Sequence, residues 1–246
     1  MAAKDPASST SSAEKRRPRR QRPARLRRIV RRVVFVAVVL VLLPYVILPF
    51  YISANPPITA VMVWKLFGGV PMTRTWVDLD GISPNLVRAV LTSEDSRFCS
   101  HRGVDWVEVR NALEDADGRP RGASTIDMQM VKNLFLWTGR SYVRKGLEVP
   151  LALYADLILS KRRTMEIYLN VVEWDTGIYG AEAAARHYYG TDASALSVAQ
   201  AARLAAVLPA PERRDAASPG PATLRIARRI ARRVARAGAD ASCVLQ

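Results

Sequence analysis

Val33 to Ile52 is a run of twenty residues without one charge, VVFVAVVLVLLPYVILPFYI. A helix of about 20 apolar residues is about 30 Å long, the hydrocarbon thickness of a bilayer. A buried core helix seldom lacks every polar group, so the run reads as a transmembrane anchor. The eighteen residues before it, Lys15 to Arg32, hold eleven Lys or Arg. Basic residues stay on the cytoplasmic side, which places the N-terminus in the cytoplasm and everything after Ile52 outside. Tyr45, Phe50 and Tyr51 crowd the outer end, as interfacial aromatics do. A cleaved signal peptide is the competing reading. The run is long for that role, and Ile52-Ser53-Ala54 is a poor cleavage site.

The chain has 246 residues and a net charge of +15. Residues 1–32 carry twelve basic and two acidic side chains, and residues 212–246 carry eight and three. Between them, Val33 to Pro211 is balanced at seventeen of each. A nucleic-acid binder would more often spread its basic stripe over the folded domain, so that class loses ground. Cys99 and Cys243 are too few for a disulfide framework or a thiolate metal site. Cys99 reads as a small buried hydrophobe. Whether the two cysteines meet is not legible.

Past the anchor, Asn55-Pro56-Pro57 breaks the helix. Thr59 to Phe67 is a short apolar stretch with Trp64 and Phe67, suited to the core or to the membrane interface. Ser83-Pro84 predicts a capped helix through Glu94. Another is expected from Asp105 to about Asp115, and Ser197 with Gln200 forms a capping-box pattern before AARLAAVL. Few segments alternate with period two, so the body is expected to be mainly α-helical. Pro221 to Arg236 is basic and amphipathic, with Ile226, Ile230 and Val234 at four-residue steps and six Arg around them. It reads as a terminal helix packed on the body or as a contact for anionic lipid head groups.

Four clusters are dense in polar residues. Glu94 and Asp95 stand at a helix end, followed by His101 and Gly103, a pattern that suits carboxylates presented to a cleft or a plain solvated helix terminus. A flexible Gly118–Gly122 loop leads into Ser124–Asn133, where a helix would put Thr125, Gln129, Lys132 and Asn133 on one face. Arg140, Arg144 and Glu148 are four apart. That spacing suits a solvated ladder of weak ion pairs or a guanidinium clamp for a diphosphate with a carboxylate beside it. Glu166 and Asn170 share a face in Lys161–Asn170. With no nucleotide loop, nucleophile elbow or histidine pair near in sequence, chemistry here must come from carboxylates and cations.

In this order the clusters resemble the family-51 glycosyltransferases that polymerise peptidoglycan. The ED-x-x-F-x-x-H-x-G-x-D pattern stands at Glu94–Asp105, G-x-STI-x-x-Q-x-x-KN at Gly122–Asn133, and RK-x-x-E at Arg144–Glu148. K-x-x-x-x-E-x-YLN stands at Lys161–Asn170 and LAA-x-LP-x-P at Leu204–Pro211. The flanking text looks like the monofunctional enzyme of Gram-negative bacteria, without a transpeptidase domain. Asp127-Met128 departs from the polar, Gln-containing pair often found there, which bears on a substrate contact.

The resemblance implies a lysozyme-like helical domain with a small membrane-proximal jaw. It would occupy residues 55–215, after a basic disordered cytoplasmic tail (1–32) and the anchor (33–52), and before a basic C-terminal helix and tail (216–246). The implied reaction joins lipid II, a disaccharide-pentapeptide on undecaprenyl diphosphate, to a lipid-linked glycan chain. It forms a β-1,4 bond with inversion and releases polyprenyl diphosphate at the bacterial inner membrane, the domain facing the periplasm. Carried over residue by residue, Glu94 is the general base and Glu148 assists at the diphosphate, by orienting cations or by holding a divalent Mg or Mn. Lys132, Arg140, Arg144 and Lys145 meet the diphosphate, and Thr125, Gln129 and Asn133 line the cleft. Asp95, His101, Glu166 and Asn170 support them. No organic cofactor or nucleic acid is implied, while division or wall-synthesis proteins are possible partners. A lytic transglycosylase would share the architecture but needs no cationic face. A membrane scaffold would explain the anchor but not the motifs.

Overall fold

The computed structural model describes residues 24–114, 124–139, 141–236 and 238–245. The chain divides into two compact units, one up to Leu40 and one from Val41 onward. In the first, residues 24–40 belong to α1 (Ala24–Ile47), and residues 25–40 are exposed throughout, Phe35 at 68% and Val33 at 62%. A helix of exposed Val, Leu and Phe has no partner in water, and Arg25–Ile52 is long and apolar enough to cross a membrane.

The second unit begins inside the apolar run. Leu48, in the 3₁₀ turn Leu48–Ile52 that continues α1, is fully buried. The Tyr45 ring lies 5.2 Å from that of Tyr154, whose hydroxyl donates to the Tyr45 carbonyl at 3.2 Å. Tyr51 stacks on Phe135. The outer end of the run is therefore part of the globular domain, and the half-buried Tyr45 and Tyr51 make packing contacts there. Arg163 donates to the carbonyls of Tyr51 (2.9 Å) and Ala54 (2.8 Å), and Arg74 to those of Pro56 and Pro57. This irregular backbone thereby gets hydrogen-bond partners without a helix.

Helix α2 (Ala60–Phe67) buries Val61 and Met62 but leaves Trp64 and Phe67 exposed. After β1 (Thr73–Arg74) come α3 (Pro84–Glu94), α4 (Trp106–Glu114), α5 (Ile126–Phe135), α6 (Tyr142–Ile158) and α7 (Lys161–Val171). Then follow β2 (Glu173–Asp175), β3 (Ile178–Tyr179), α8 (Ala181–Tyr189), α9 (Val198–Val207), α10 (Pro221–Arg236) and α11 (Ser242–Leu245). The domain is mainly helical. Its three short strands lie in the order β1-β3-β2, β1 parallel and β2 antiparallel to β3.

Side-chain caps start most of these helices. Thr59, Ser83, Thr125, Ser141, Ser160 and Ser197 each accept a backbone N–H of the first turn, and Asp105 accepts those of Val107 and Glu108. Each such cap is worth about 1 kcal/mol. The Ser197–Gln200 capping box is present as expected. Helix α5 is central. It packs on α6 and α7, and it buries Ile126, Met128, Met130, Val131 and Leu134. Helices α3 and α9 pack together, and α10 lies on both through Thr223, Ala227 and Ile230. The basic C-terminal segment is thus a terminal helix packed on the body, with its arginines outward.

Cys99 and Cys243 are bonded to each other. That corrects the reading of Cys99 as a small hydrophobe. The two lie 144 residues apart, and only the fold of α10 and α11 back onto α3 and α7 brings them together.

Candidate active site

Glu94 is the last residue of α3, half-buried, in the wall of a cavity of about 330 Å³ that also takes in Asp95, Arg97, Ser124 and Thr125. Its Oε1 accepts from the Ser93 hydroxyl at 3.2 Å, and its Oε2 from Gln129 Nε2 at 3.2 Å. Crowding by protein raises its pKa above the ordinary glutamate value. The hydrogen bonds from Gln129 and Ser93 oppose the shift, as do the charges of Lys132 and Arg214. A carboxylate that is both accessible and made more basic suits a general base.

Gln129 also lines a second cavity of about 400 Å³, with Lys132, Asn133, Gly139 and Arg144. The Glu94–Gln129 contact therefore stands where the two cavities approach each other. Burial lowers the pKa of Lys132, with the charges of Arg144 and Lys145 adding to the effect and those of Glu148 and Glu94 opposing it. Among the described residues its ammonium donates no hydrogen bond. An ammonium in a cavity beside a guanidinium, without a bonded acceptor, is built to receive an anion.

Glu148 is buried, with one oxygen on the Arg144 guanidinium and the other 3.3 Å from Lys145 Nζ. Lys145 donates as well to the Ser124 hydroxyl at 2.6 Å. Arg140 lies outside the described residues. Of the Arg140–Arg144–Glu148 spacing, the described residues include the Arg144–Glu148 pair on α6.

Thr125 lines the first cavity, but its hydroxyl donates to the Gly103 carbonyl (2.6 Å) and accepts from Met128 N–H. Gly103 has φ +70°, and a Cβ there would meet the Ala152 carbonyl at 2.6 Å, so only glycine serves. Asp95 accepts from Ile126 N–H at the start of α5 (2.9 Å) and from His101 Nε2 at 3.0 Å. Asp95, His101 and Asp127 form a buried carboxylate–imidazole group of the type that can hold a cation, with ligand atoms within 4.8 Å of one another. Asp95 is already engaged by His101, and Lys161 Nζ sits 3.1 Å from Asp127. Burial pushes Asp127 up to about 6. Asp127 and Met128 are both buried, which turns this departure from the usual motif toward the core and not the cleft.

Glu166 accepts from Leu79 N–H at 3.0 Å, and Asn170 exchanges hydrogen bonds with Val77 N–H and C=O. Both tie α7 to the segment before α3. Tyr168, between them, joins the site although it was not among the expected residues. Its buried hydroxyl donates to Gln129 Oε1 at 3.1 Å and thereby orients the amide that faces Glu94. No spacing in the sequence marks it, because the contact runs between α5 and α7. Arg214 and Arg233, near Glu94 or in its cavity, come from the region around the expected C-terminal helix and tail.

The family model described as Transglycosylase matches residues 63–236. A biosynthetic peptidoglycan transglycosylase of Brucella suis biovar 1 (strain 1330) is 55% identical over 192 residues, covering 76% of this chain and 85% of its own. Proteins of the same description from Rhizobium meliloti (strain 1021) and Nitrobacter winogradskyi are 51% and 50% identical over 190 and 174 residues. These matches cover 76% and 70% of this chain, and 80% and 77% of the relatives. With the match spanning both cavities, α3, α5, α6 and α7, the chain belongs to the transglycosylase family.

Proposed function

We propose that the chain is a peptidoglycan glycosyltransferase that polymerises lipid II into glycan strands. The observation that carries this reading is the position of Glu94, a half-buried carboxylate beside a second cavity holding Lys132 and Arg144. Glu94 takes the proton of the acceptor sugar hydroxyl, whose oxygen forms a bond to the anomeric carbon of the donor. The bond from that carbon to the diphosphate breaks, and its electron pair leaves with the diphosphate. Attack from the face opposite the leaving group inverts an α link to a β-1,4 link. Lys132, Arg144 and Lys145 hold the charge that develops. Asn133 and Gln129 face the same space, and Asp95, His101, Glu166 and Asn170 keep α3, α5 and α7 in place.

Glu148 works through the cations it holds. A divalent ion prefers several oxygen ligands. At Glu148 it would find one carboxylate already facing Arg144 and Lys145, with Lys132 nearby. The charge of the leaving group is therefore assigned to the cationic side chains.

The apolar run Val33–Ile52 anchors the enzyme beside its lipid-linked substrates in the inner membrane. The basic cluster before it supports a cytoplasmic N-terminus. A disulfide between Cys99 and Cys243 supports an oxidising, periplasmic setting for the domain. Incubating the purified full chain with lipid II in vesicles tests the reading. Polymer on a gel is the expected product. Cleavage of finished wall without polymer would favour a lytic enzyme, and no reaction a scaffold.

A further inference from the structure

Arg233 is on α10, yet it lines the Glu94 cavity. Its backbone is fastened to the same elements that carry Glu94. Gly238 N–H donates to the Arg233 carbonyl at 2.8 Å, and Ala239 N–H donates to Thr92 Oγ1, two residues before Glu94, at 3.2 Å. Beyond that, Cys243 is bonded to Cys99, in the loop that follows Glu94, and Val244 is fully buried. Its carbonyl accepts from Arg162 at 2.9 Å. The end of α10 is thus a fixed wall of the cavity, not a tail.

The other charges in this cavity are committed or negative. Asp95 accepts from His101 and Ile126, while Asp105 caps α4 and faces Arg97 at 3.3 Å. Glu94 and Glu108 add two more carboxylates. Among the described residues, Arg233 makes no ion pair. An exposed guanidinium on a rigid base offers a planar fork that matches a carboxylate.

We infer that Arg233 binds a carboxylate of the peptide carried by the lipid II molecule whose hydroxyl Glu94 activates. This rests on the proposed polymerase reading and extends it. The diphosphate has its own cations in the Lys132–Arg144 cavity, so the two anionic ends of the substrates are received on either side of the Glu94–Gln129 contact. A pentapeptide ends in a free carboxylate, a planar anion that the guanidinium fork matches, while the acceptor's own diphosphate is the competing anion, and the amidated substrate separates the two.

The test compares full-length wild type, Arg233→Ala and Arg233→Lys on lipid II and on lipid II whose peptide carboxylates have been amidated. Arg233→Ala should raise KM for lipid II about fivefold to tenfold with kcat within twofold of wild type, and Arg233→Lys should recover part of the loss. On the amidated substrate the wild type should show the raised KM and match Arg233→Ala. An unchanged KM in Arg233→Ala would overturn the inference. So would an equal loss on both substrates, which would assign the guanidinium to the diphosphate or to the fold. Circular dichroism should be unchanged, since the side chain is exposed. A wild type that polymerises while Arg233→Ala is indistinguishable removes this inference alone, whereas a wild type that makes no polymer removes the parent reading with it.

Discussion

Gln129 donates its amide hydrogen to Glu94 Oε2 at 3.2 Å while its amide oxygen accepts from the Tyr168 hydroxyl at 3.1 Å. Tyr168 is fully buried, and burial lifts its pKa well above the ordinary tyrosine value, so the hydroxyl stays a donor. That donor dictates which end of the amide meets the carboxylate. Removing it with Tyr168→Phe leaves Gln129 free to turn its oxygen toward Glu94. Turnover should fall up to about tenfold, one hydrogen bond's worth. The acidic limb of the pH–rate profile should also move up, because the ionised carboxylate loses a donor. A limb that stays in place would show that Tyr168 only fills space.

Glu94→Gln tests the base itself. Lipid II should still bind, while polymerisation falls about a hundredfold to ten-thousandfold. Because burial raises the pKa of Glu94, the wild-type acidic limb should lie above the ordinary glutamate range, and Glu94→Gln should lack it. Wild-type turnover in Glu94→Gln would sink the mechanism.

The second glutamate should fail at the other end of the pH scale. Burial lowers the pKa of Lys132, and the Glu148 charge is the largest influence opposing that shift. Glu148→Gln removes it, so Lys132 should lose its proton at lower pH. The alkaline limb of the profile should move down in that variant and the acidic limb should hold. A defect uniform across pH would show that Glu148 does not act through Lys132. Lys132→Ala and Arg144→Ala should each cost roughly tenfold to a hundredfold in turnover.

Asp127 makes a prediction about stability. Its carboxyl titrates at about 6 in the fold, against 3.8 for an ordinary aspartate. The folded state therefore holds more protons than the unfolded state between those values, and stability falls as pH rises through that window. Asp127→Asn removes the group, so its melting temperature should decline less than wild type between pH 4 and about 7. Parallel curves would mean that Lys161 compensates the buried charge fully.

The disulfide closes a loop of 144 residues. Loop entropy puts the stabilisation near 5 kcal/mol, and native bonds typically deliver about 2–5. Cys99→Ser with Cys243→Ser should lower the melting temperature by roughly 5–15 °C. A thermal melt with and without reductant measures the same quantity in the wild type, and coincident curves would refute it.

Much of this protein is written locally. The uncharged Val33–Ile52 run, the caps at Ser83 and Ser197, and the polar face of Gln129, Lys132 and Asn133 depend on neighbours within one or two turns. Such contacts follow from helix geometry, so residue order alone specifies them. The helical class, the anchor and the ordered motifs were legible for that reason.

Tertiary packing decided the rest. Leu48 and Tyr45 look like lipid-facing residues until α6 and the 3₁₀ turn are docked together. The Tyr168–Gln129–Glu94 chain joins α7, α5 and α3, the Asp127–Lys161 pair joins α5 and α7, and Arg233 lines the Glu94 cavity from 139 residues further along the chain. Cys99 finds Cys243 only after α10 has buried Ala227 and Ile230 on the body. Apolar burial is non-directional, and it says that helices pack without saying which polar side chains then face each other. Those pairings depend on the crossing and register of whole helices, which no short window of sequence encodes.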